Sequence, residues 1–204
     1  MSTVILIAGG SCSGKSTLCS TALSRVEPAG VVIPTDNFYK DLSSFSEEQL
    51  LNHNFDMPSA IDKDWLCSAV ESLAESKPAE VPVYDFSTHT RTSETKIIQP
   101  AEFVFIEGLF TLCQQELLVL ASLKVFVECP ADIRLARRII RDTSERGRGV
   151  ESVINQYLST VRPMHEKYIY PSREEADCVF DGEGDMEQIT DDLIDKIYGL
   201  RKSG

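Results

Sequence analysis

A glycine-rich stretch near the start of the chain constrains the fold more than any other feature. Residues 9–17 fit the pattern G-x-x-x-x-G-K-[ST], with Gly9, Gly14, Lys15 and Ser16 at its fixed positions. In such a pattern the glycines let backbone N–H groups surround a phosphate, the lysine reaches the outer phosphates, and the hydroxyl binds Mg²⁺. The candidate nucleoside-triphosphate-binding residues of this phosphate-binding loop are Gly9, Gly10, Ser11, Cys12, Ser13, Gly14, Lys15, Ser16 and Thr17.

The flanks of the loop have the pattern that the motif requires. Residues 4–8 are a continuous apolar run, typical of a strand buried on both faces. After Thr17 the apolar residues recur on one helical face, at Leu18, Ala22, Leu23 and Val26. The alternative is a chance glycine-rich turn, but a strand before the loop and a helix after it favour the phosphate site.

Composition limits the class of protein. The chain has 204 residues, of which 42% are hydrophobic and 25% charged, as expected of one globular domain with a small insertion or lid. Its net charge of −12 argues against a nucleic-acid binder and against binding to an anionic membrane surface. We therefore expect a small substrate that meets a local basic patch.

The cysteines and the N-terminus indicate a cytoplasmic protein. The six cysteines lack C-x-x-C spacing, which suits free thiols in a reducing compartment and argues against a zinc site. The N-terminal sequence lacks a charged n-region and a cleavage site, and no segment has the length of a membrane span.

Acidic residues follow two of the predicted strands. Residues 31–35 and 103–106 are apolar runs, and they lead to Asp36 and Glu107. Ligands of open α/β sheets lie at the carboxyl ends of the strands, so Asp36 is placed to accept a proton from an attacking hydroxyl or to hold a metal. Glu107 is a second candidate metal ligand. The alternative for Asp36 is a helix N-cap or a turn aspartate.

Strands alternate with helical patterns along the whole chain. This alternation predicts an α/β fold of the P-loop NTPase type, a five-stranded parallel sheet with helices on both faces. The predicted strands are residues 4–8, 31–35, 103–108, 123–128 and 176–180.

A stretch with three rings predicts an insertion. Residues 81–91 read as extended and residues 95–98 as a returning strand, which together form a hairpin outside the main sheet, over about residues 81–98. Tyr84, Phe86 and His89 could stack on a flat base and read its polar edge. The alternative is a small satellite core under the hairpin.

Arginines are concentrated in one segment. Six of the chain's 20 basic residues fall within residues 133–148, which predicts an arginine-rich lid over about residues 137–150. Arginine binds phosphate in a bidentate manner, and a closing loop of arginines would offset the charge of phosphoryl transfer and exclude water. The alternative is a solvated face neutralised by Asp142 and Glu145.

The next segment is an amphipathic helix. Val150, Val153, Ile154, Tyr157, Leu158 and Val161 form its apolar stripe. Gln156 lies off that stripe and could face the site, and Pro163 is expected to end or kink the helix.

In combination these stretches resemble the uridine–cytidine kinase family over nearly the whole chain. The resemblance is carried by GGSCSGKST at 9–17, DNFYK at 36–40, NFD at 54–56, PVYDF at 82–86, HTR at 89–91, EG at 107–108, RRIIRD at 137–142 and ERGR at 145–148. The chain departs from the family at Met57, where histidine is common, and at residues 181–185, where Pro-Arg-Gly is common.

The resemblance implies transfer of the ATP γ-phosphate to the 5′-hydroxyl of uridine or cytidine. The implied general base is Asp36, and Mg²⁺ would be held by Ser16, Asp36 and Glu107. Lys15, Arg141 and Arg146 would act on the phosphates, and Asp185 matches a position near the adenine. The family is usually tetrameric, so a homo-oligomer is expected.

The resemblance also implies a nucleoside site. Asp56 and Arg138 would hold the ribose hydroxyls. The pyrimidine would be read or lined by Tyr39, Phe55, Tyr84, Phe86, His89, Arg148 and Gln156. Two alternatives stay open: another small-molecule kinase of this fold, acting on phosphoribulose or pantothenate, and a P-loop protein that signals to a partner without transferring phosphate.

Overall fold

The computed structural model describes residues 1–46, 48–49, 54–85 and 90–201. Within them the chain forms seven strands: β1 (Thr3–Gly9), β2 (Val31–Pro34), β3 (Ala79–Asp85), β4 (Thr90–Ile98), β5 (Phe103–Gly108), β6 (Leu123–Glu128) and β7 (Cys178–Asp181). The helices are α1 (Lys15–Leu23), α2 (Lys63–Ala74), α3 (Gln115–Leu120), α4 (Ala131–Ser144), α5 (Val150–Gln156) and α6 (Met186–Arg201).

Five strands form one parallel sheet in the order β2-β5-β1-β6-β7, which confirms the predicted α/β fold. The central strand β1 is buried from Val4 to Gly9, because both faces of the sheet are covered. The last strand begins at Cys178 and ends at Asp181, slightly later than the apolar run predicts.

Helices cover the sheet on both faces, each over its own apolar core. On one face α1 and α6 pack on the sheet through Leu18, Leu193 and Ile197. On the other face α2 and α3 cover it, with Phe38, Leu66, Val70, Leu73 and Leu117 in the core. This three-layer arrangement leaves the carboxyl ends of the strands uncovered for a ligand.

Strands β3 and β4 pair antiparallel as the predicted hairpin, but β4 begins at Thr90 rather than at residue 95. Arg91 fastens the hairpin to the main body. Its guanidinium donates to Asp62 Oδ2 at 3.2 Å and to the Tyr39 carbonyl at 2.9 Å, and it lies 4.8 Å from the Trp65 ring centroid. The hairpin therefore has a fixed position beside the segment that follows β2.

The helical segment after the lid differs from the prediction. Helix α5 continues through a π-helical turn at Tyr157–Val161 and a second one at His165–Ile169, so Pro163 does not end the helical path. The predicted apolar stripe does not lie on one buried face, because Leu158 is 55% exposed whereas Tyr157 and Val161 are buried. The wider π turn shifts the period of the helix, which turns Leu158 away from the core.

Two side-chain caps are present in the described residues. Ser46 and Gln49 exchange the two hydrogen bonds of a capping box, and Asp62 caps α2 by accepting from the Trp65 amide. All six cysteines are free. In the part of the chain that the structure describes, no helix combines the length and the apolar character needed to cross a membrane.

Candidate active site

The phosphate-binding loop connects β1 to α1, as its flanks predict. Gly14 adopts φ 102°, a left-handed conformation that favours glycine, and it directly precedes the first turn of α1. A Cβ on Gly9 would lie 2.6 Å from both Ser13 Oγ and the Val127 carbonyl oxygen, so a larger residue there would displace the loop. The N-terminus of α1 thus faces the cradle, where its dipole favours an anion.

Glu107 and Ser16 meet beside the cradle. Ser16 Oγ donates to Glu107 Oε2 at 3.1 Å, and Lys15 Nζ lies 3.8 Å from the same oxygen. Burial raises the pKa of Glu107, the positive charge of Lys15 lowers it, and the negative charge of Asp36 raises it further. The register that pairs Pro34 with Glu107 places Asp36 at the same edge of the sheet.

These groups suit a magnesium ion. A hydroxyl and two carboxylates are hard oxygen ligands, and Mg²⁺ is commonly bound by one or two carboxylates together with substrate phosphates. The buried Glu107 carboxylate, with its raised pKa, is also a position where a cation would relieve an electrostatic penalty. Ser16, Asp36 and Glu107 therefore fit the predicted ion.

A second carboxylate, that of Asp56, is buried near Arg138 and Asp36. Asp56 is 8% exposed and accepts a hydrogen bond from Thr160 Oγ1 at 2.9 Å. Burial raises its pKa, whereas the Thr160 hydrogen bond and the positive charge of Arg138 lower it, and the charge of Asp36 raises it. Asp56 thus lies near Arg138 of α4 and near Asp36, the acid that follows β2. A buried carboxylate in this position could bind a ligand.

An aromatic cluster lies near Asp56, with Tyr39 at its centre. The Tyr39 ring centroid lies 5.8 Å from that of Phe55, edge-on, and 5.5 Å from that of Tyr84, tilted by 50°. Burial raises the pKa of Tyr39 well above its usual value, and the charges of Asp36 and Asp56 add to this effect. The other two predicted rings, Phe86 and His89, lie outside the described residues.

The arginines of the lid converge on Asp142. This carboxylate is fully buried, and its oxygens lie 2.8 Å from Arg141 Nη2, 3.5 Å from Arg138 Nε, and 3.6 Å from both Arg146 Nη1 and Arg148 Nη1. Asp142 neutralises these arginines as the alternative interpretation expects, but only Arg146, whose side chain is 55% exposed, is largely solvated. Asp142 offsets their repulsion and keeps four guanidinium groups together.

Arg138 and Gln156 connect this cluster to the phosphate-binding loop. Arg138 donates from Nη1 to Ser11 Oγ at 3.1 Å and from Nη2 to Gln156 Oε1 at 3.0 Å. The same Gln156 oxygen accepts from Arg148 Nη1 at 2.5 Å. Gln156 therefore faces the site, as its place off the apolar stripe indicates.

Asp185 lies at the other end of the loop, on the predicted adenine side. It is exposed, and its Oδ1 accepts from the Glu187 amide at the start of α6. Nearby, Arg137 donates to the Gly182 carbonyl at 3.0 Å, and the position of a Cβ on Gly182 overlaps the Ser13 carbonyl oxygen. The altered segment 181–185 thus packs directly on the phosphate-binding loop.

One contributor to the site was missed by sequence reasoning. Thr160, which donates to Asp56, has no pattern that marks it. Asp142 was considered only as a neutralising acid in the alternative interpretation, although it stands four residues after Arg138 on one helical face.

The fold and the site define a P-loop kinase: a parallel α/β sheet with a phosphate cradle, acids at the strand ends and an arginine cluster beside them. The profile of the phosphoribulokinase / uridine kinase family matches residues 4–187, and the chain belongs to this family.

Individual proteins agree with this assignment. The chain is similar to uridine kinase of Staphylococcus epidermidis, at 42% identity over 199 residues, which are 97% of this chain and 96% of that protein. Uridine kinase of Staphylococcus haemolyticus is 40% identical over the same shares. The solved structure of phosphoribulokinase from Rhodobacter spheroides shares the fold, with a TM-score of 0.67 at 18% identity, over 88% of this chain and 70% of that one.

The role of Asp142 can be tested by Asp142→Asn. Removing the buried negative charge that four guanidinium groups share leaves most of their repulsion uncompensated, so we expect the free energy of unfolding to fall by about 3 kcal/mol. The measurement is urea denaturation. Glu145→Gln is the matched control, because it neutralises an exposed acid on the same segment and should change stability by less than about 0.5 kcal/mol. Equal stabilities of the two variants would contradict the role of Asp142.

Glu107 predicts a pH-dependent stability. Because its folded-state pKa is raised, the folded state binds this proton more tightly than the unfolded chain, and stability is lost as pH rises through that pKa. We expect Glu107→Gln, without ligands, to be more stable than the original chain at about pH 8, with the difference shrinking towards about pH 5.

Urea denaturation across this pH range measures the effect. The control is the exposed Glu151→Gln, which carries the same chemical change. A Glu107→Gln variant that is less stable at every pH would show that the ionised carboxylate contributes net stability through Lys15 and Ser16.

Proposed function

We propose that this protein transfers the γ-phosphate of ATP to the 5′-hydroxyl of uridine or cytidine, giving UMP or CMP and ADP. The observation that carries the proposal is the cluster in which the Tyr39 ring meets those of Phe55 and Tyr84, close enough to Asp36 and Asp56 for their charges to raise its pKa. Its carboxylates suit hydroxyl groups and its rings suit a flat base. The names of the uridine kinases that resemble the chain support the same substrate.

Each group near the phosphates has a task in this reaction. Asp36 accepts the proton of the 5′-hydroxyl as its oxygen attacks the γ-phosphorus, and ADP leaves. Lys15, Arg141 and Arg146 offset the charge on the phosphoryl oxygens. Ser16, Asp36 and Glu107 would hold Mg²⁺, which neutralises phosphate charge when bound.

The nucleoside is held by a second group of residues. Asp56 and Arg138 bind the ribose hydroxyls, because Asp56 is a buried acceptor and Arg138 lies close enough to influence its pKa. Arg148 and Tyr84 read the polar edge of the base together with His89. The pocket is lined by Tyr39, Phe55, Phe86 and Gln156.

The remaining assignments belong to the same proposal. The chain is one kinase domain with a hairpin insertion at about residues 81–98 and a lid at about residues 137–150. We place it in the cytoplasm as a homo-oligomer, a tetramer by family resemblance, without nucleic-acid or membrane partners. Residues 9–17 and Asp185 bind ATP.

A panel of phosphate acceptors tests the substrate assignment. In a coupled ADP-release assay we expect turnover with uridine or cytidine, and none with ribulose 5-phosphate or pantothenate. The 2′-deoxynucleoside should show a kcat/KM roughly tenfold to a hundredfold lower, because Asp56 would lose a hydroxyl partner. Turnover with a sugar phosphate alone would refute the nucleoside assignment, and equal kcat/KM for uridine and deoxyuridine would remove Asp56 from ribose recognition.

Asp36→Asn tests the base. We expect kcat to fall about a hundredfold or more while the Kd for ATP is largely kept, because the phosphate-binding loop is untouched. Steady-state kinetics and calorimetric titration with ATP measure the two quantities. Asp64→Asn, at an exposed carboxylate in the first turn of α2, is the matched control and should keep normal turnover. Near-normal kcat in Asp36→Asn would exclude Asp36 as the base.

A further inference from the structure

A cavity of about 360 Å³ lies behind the phosphate-binding loop, at the carboxyl end of β6. Its walls come from the end of β6, the start of α4 and the π-helical turn at His165–Ile169. Neither Asp36 nor Asp56 lines it, and Gly10 is its contact with the loop. Its volume falls in the range of small-molecule sites, and the reaction proposed above leaves it without a task.

The cavity contains a buried cation that lacks a full set of partners. Arg134 is 4% exposed, and its Nε donates to the Cys129 carbonyl at 2.9 Å. Its Nη1 is buried and meets no acceptor among the residues that the structure describes. A buried charged donor without a partner is costly, so the geometry suits an anion in the cavity.

The other charges that line the cavity are already paired. Arg162 Nε lies 2.8 Å from Glu166 Oε1, and Glu128 Oε2 lies 3.3 Å from Arg173 Nε. Arg134 is thus the cation of the described lining that is left for a ligand. The start of α4, a helix of 14 residues, adds its favourable dipole at the same place. A ligand with a single negative charge would therefore neutralise the remaining charge of Arg134.

The rest of the lining includes several aromatic rings and is largely apolar. Phe126 contributes to the wall, and the His165 and Tyr170 rings lie 6.3 Å apart at 50°. His165 Nδ1 is buried without a partner among the described residues. Burial and the charge of Arg134 lower the pKa of His165 to about 4, so its ring is neutral at pH 7 and offers a hydrogen bond rather than a charge.

We propose that this cavity binds a small aromatic carboxylate, with Arg134 pairing with the carboxylate and the rings of His165 and Tyr170 contacting the flat body. The site is separate from the nucleoside cleft and does not depend on which substrate is phosphorylated.

Occupancy of the cavity is coupled to the phosphate-binding loop. A Cβ on Gly10 would lie 2.7 Å from Arg134 Nη1, so the guanidinium rests directly on the backbone of the loop. A ligand that draws Arg134 into the cavity changes this contact and therefore the affinity for ATP. By linkage, ATP must change the affinity for the carboxylate by the same factor.

Calorimetric titration of the full chain with benzoate, in the absence of nucleotide, tests the site. We expect saturable binding of one benzoate per chain, and binding of the neutral isostere benzamide about tenfold to a hundredfold weaker. Arg134→Gln should abolish this preference for the anion. Ala131→Leu, which fills the cavity from an exposed position of its lining, should block both probes even if Arg134→Gln fails to fold. Asp132→Asn, next to it and outside the lining, is the control and should bind normally.

Three results would overturn the site: no saturable binding of benzoate, equal affinity for benzamide, or benzoate binding that survives Ala131→Leu and is displaced by inorganic phosphate. The last result would place the probe in the phosphate-binding loop instead. For the coupling, saturating benzoate should change the Kd for ATP by about fivefold or more, and an unchanged Kd would refute it. These are binding measurements, so they stand even if the nucleoside assignment fails.

Discussion

Two groups of like charges lie close together at the candidate site, and the rest of the structure depends on how their repulsion is compensated. Four guanidinium groups surround Asp142, and in the other group the charge of Asp36 raises the pKa values of Glu107 and Asp56. Neither group is stable by itself away from water. The fully buried Asp142 provides the arginines with a permanent counter-charge. For the acids, Lys15 lowers the pKa of Glu107 and Arg138 lowers that of Asp56, but burial outweighs these charges and both pKa values stay raised.

The sheet explains how these groups come so close. Parallel pairing of β2, β5 and β1 brings the strand ends to one edge, where Pro34 lies opposite Glu107 and Ala8 opposite Gly108. A side chain at Gly108 would overlap the Thr35 hydroxyl, just before Asp36. The strand register fixes which acids lie close together. The absence of a side chain at Gly108 lets the segment after β2 approach the end of β5. Local strand pairing therefore sets the electrostatics of the site.

The sequence predicted those parts that depend on local pattern. Apolar runs located the five parallel strands, and motif spacing located the phosphate-binding loop and the acids at the strand ends. The parts that depend on tertiary packing were missed or misread. Tyr39 meets Phe55 and Tyr84 in a cluster that brings separate segments of the chain together, and Arg91 fastens the hairpin that carries Tyr84. A period of 3.6 residues cannot reveal a π turn, so Leu158 was wrongly placed in the core.

Helix α4 joins the parts of the site into one mechanical unit. Successive turns contact Gly10 through Arg134, the Gly182 carbonyl through Arg137, and Ser11 through Arg138. Asp142, near the end of the same helix, gathers the lid arginines. Because a helix of 14 residues is stiff compared with the loops around it, a shift at one contact is carried to the others. If the arginines close over the phosphates as proposed, that closure would depend on the loop beneath them, and a ligand that moves Arg134 would act on both.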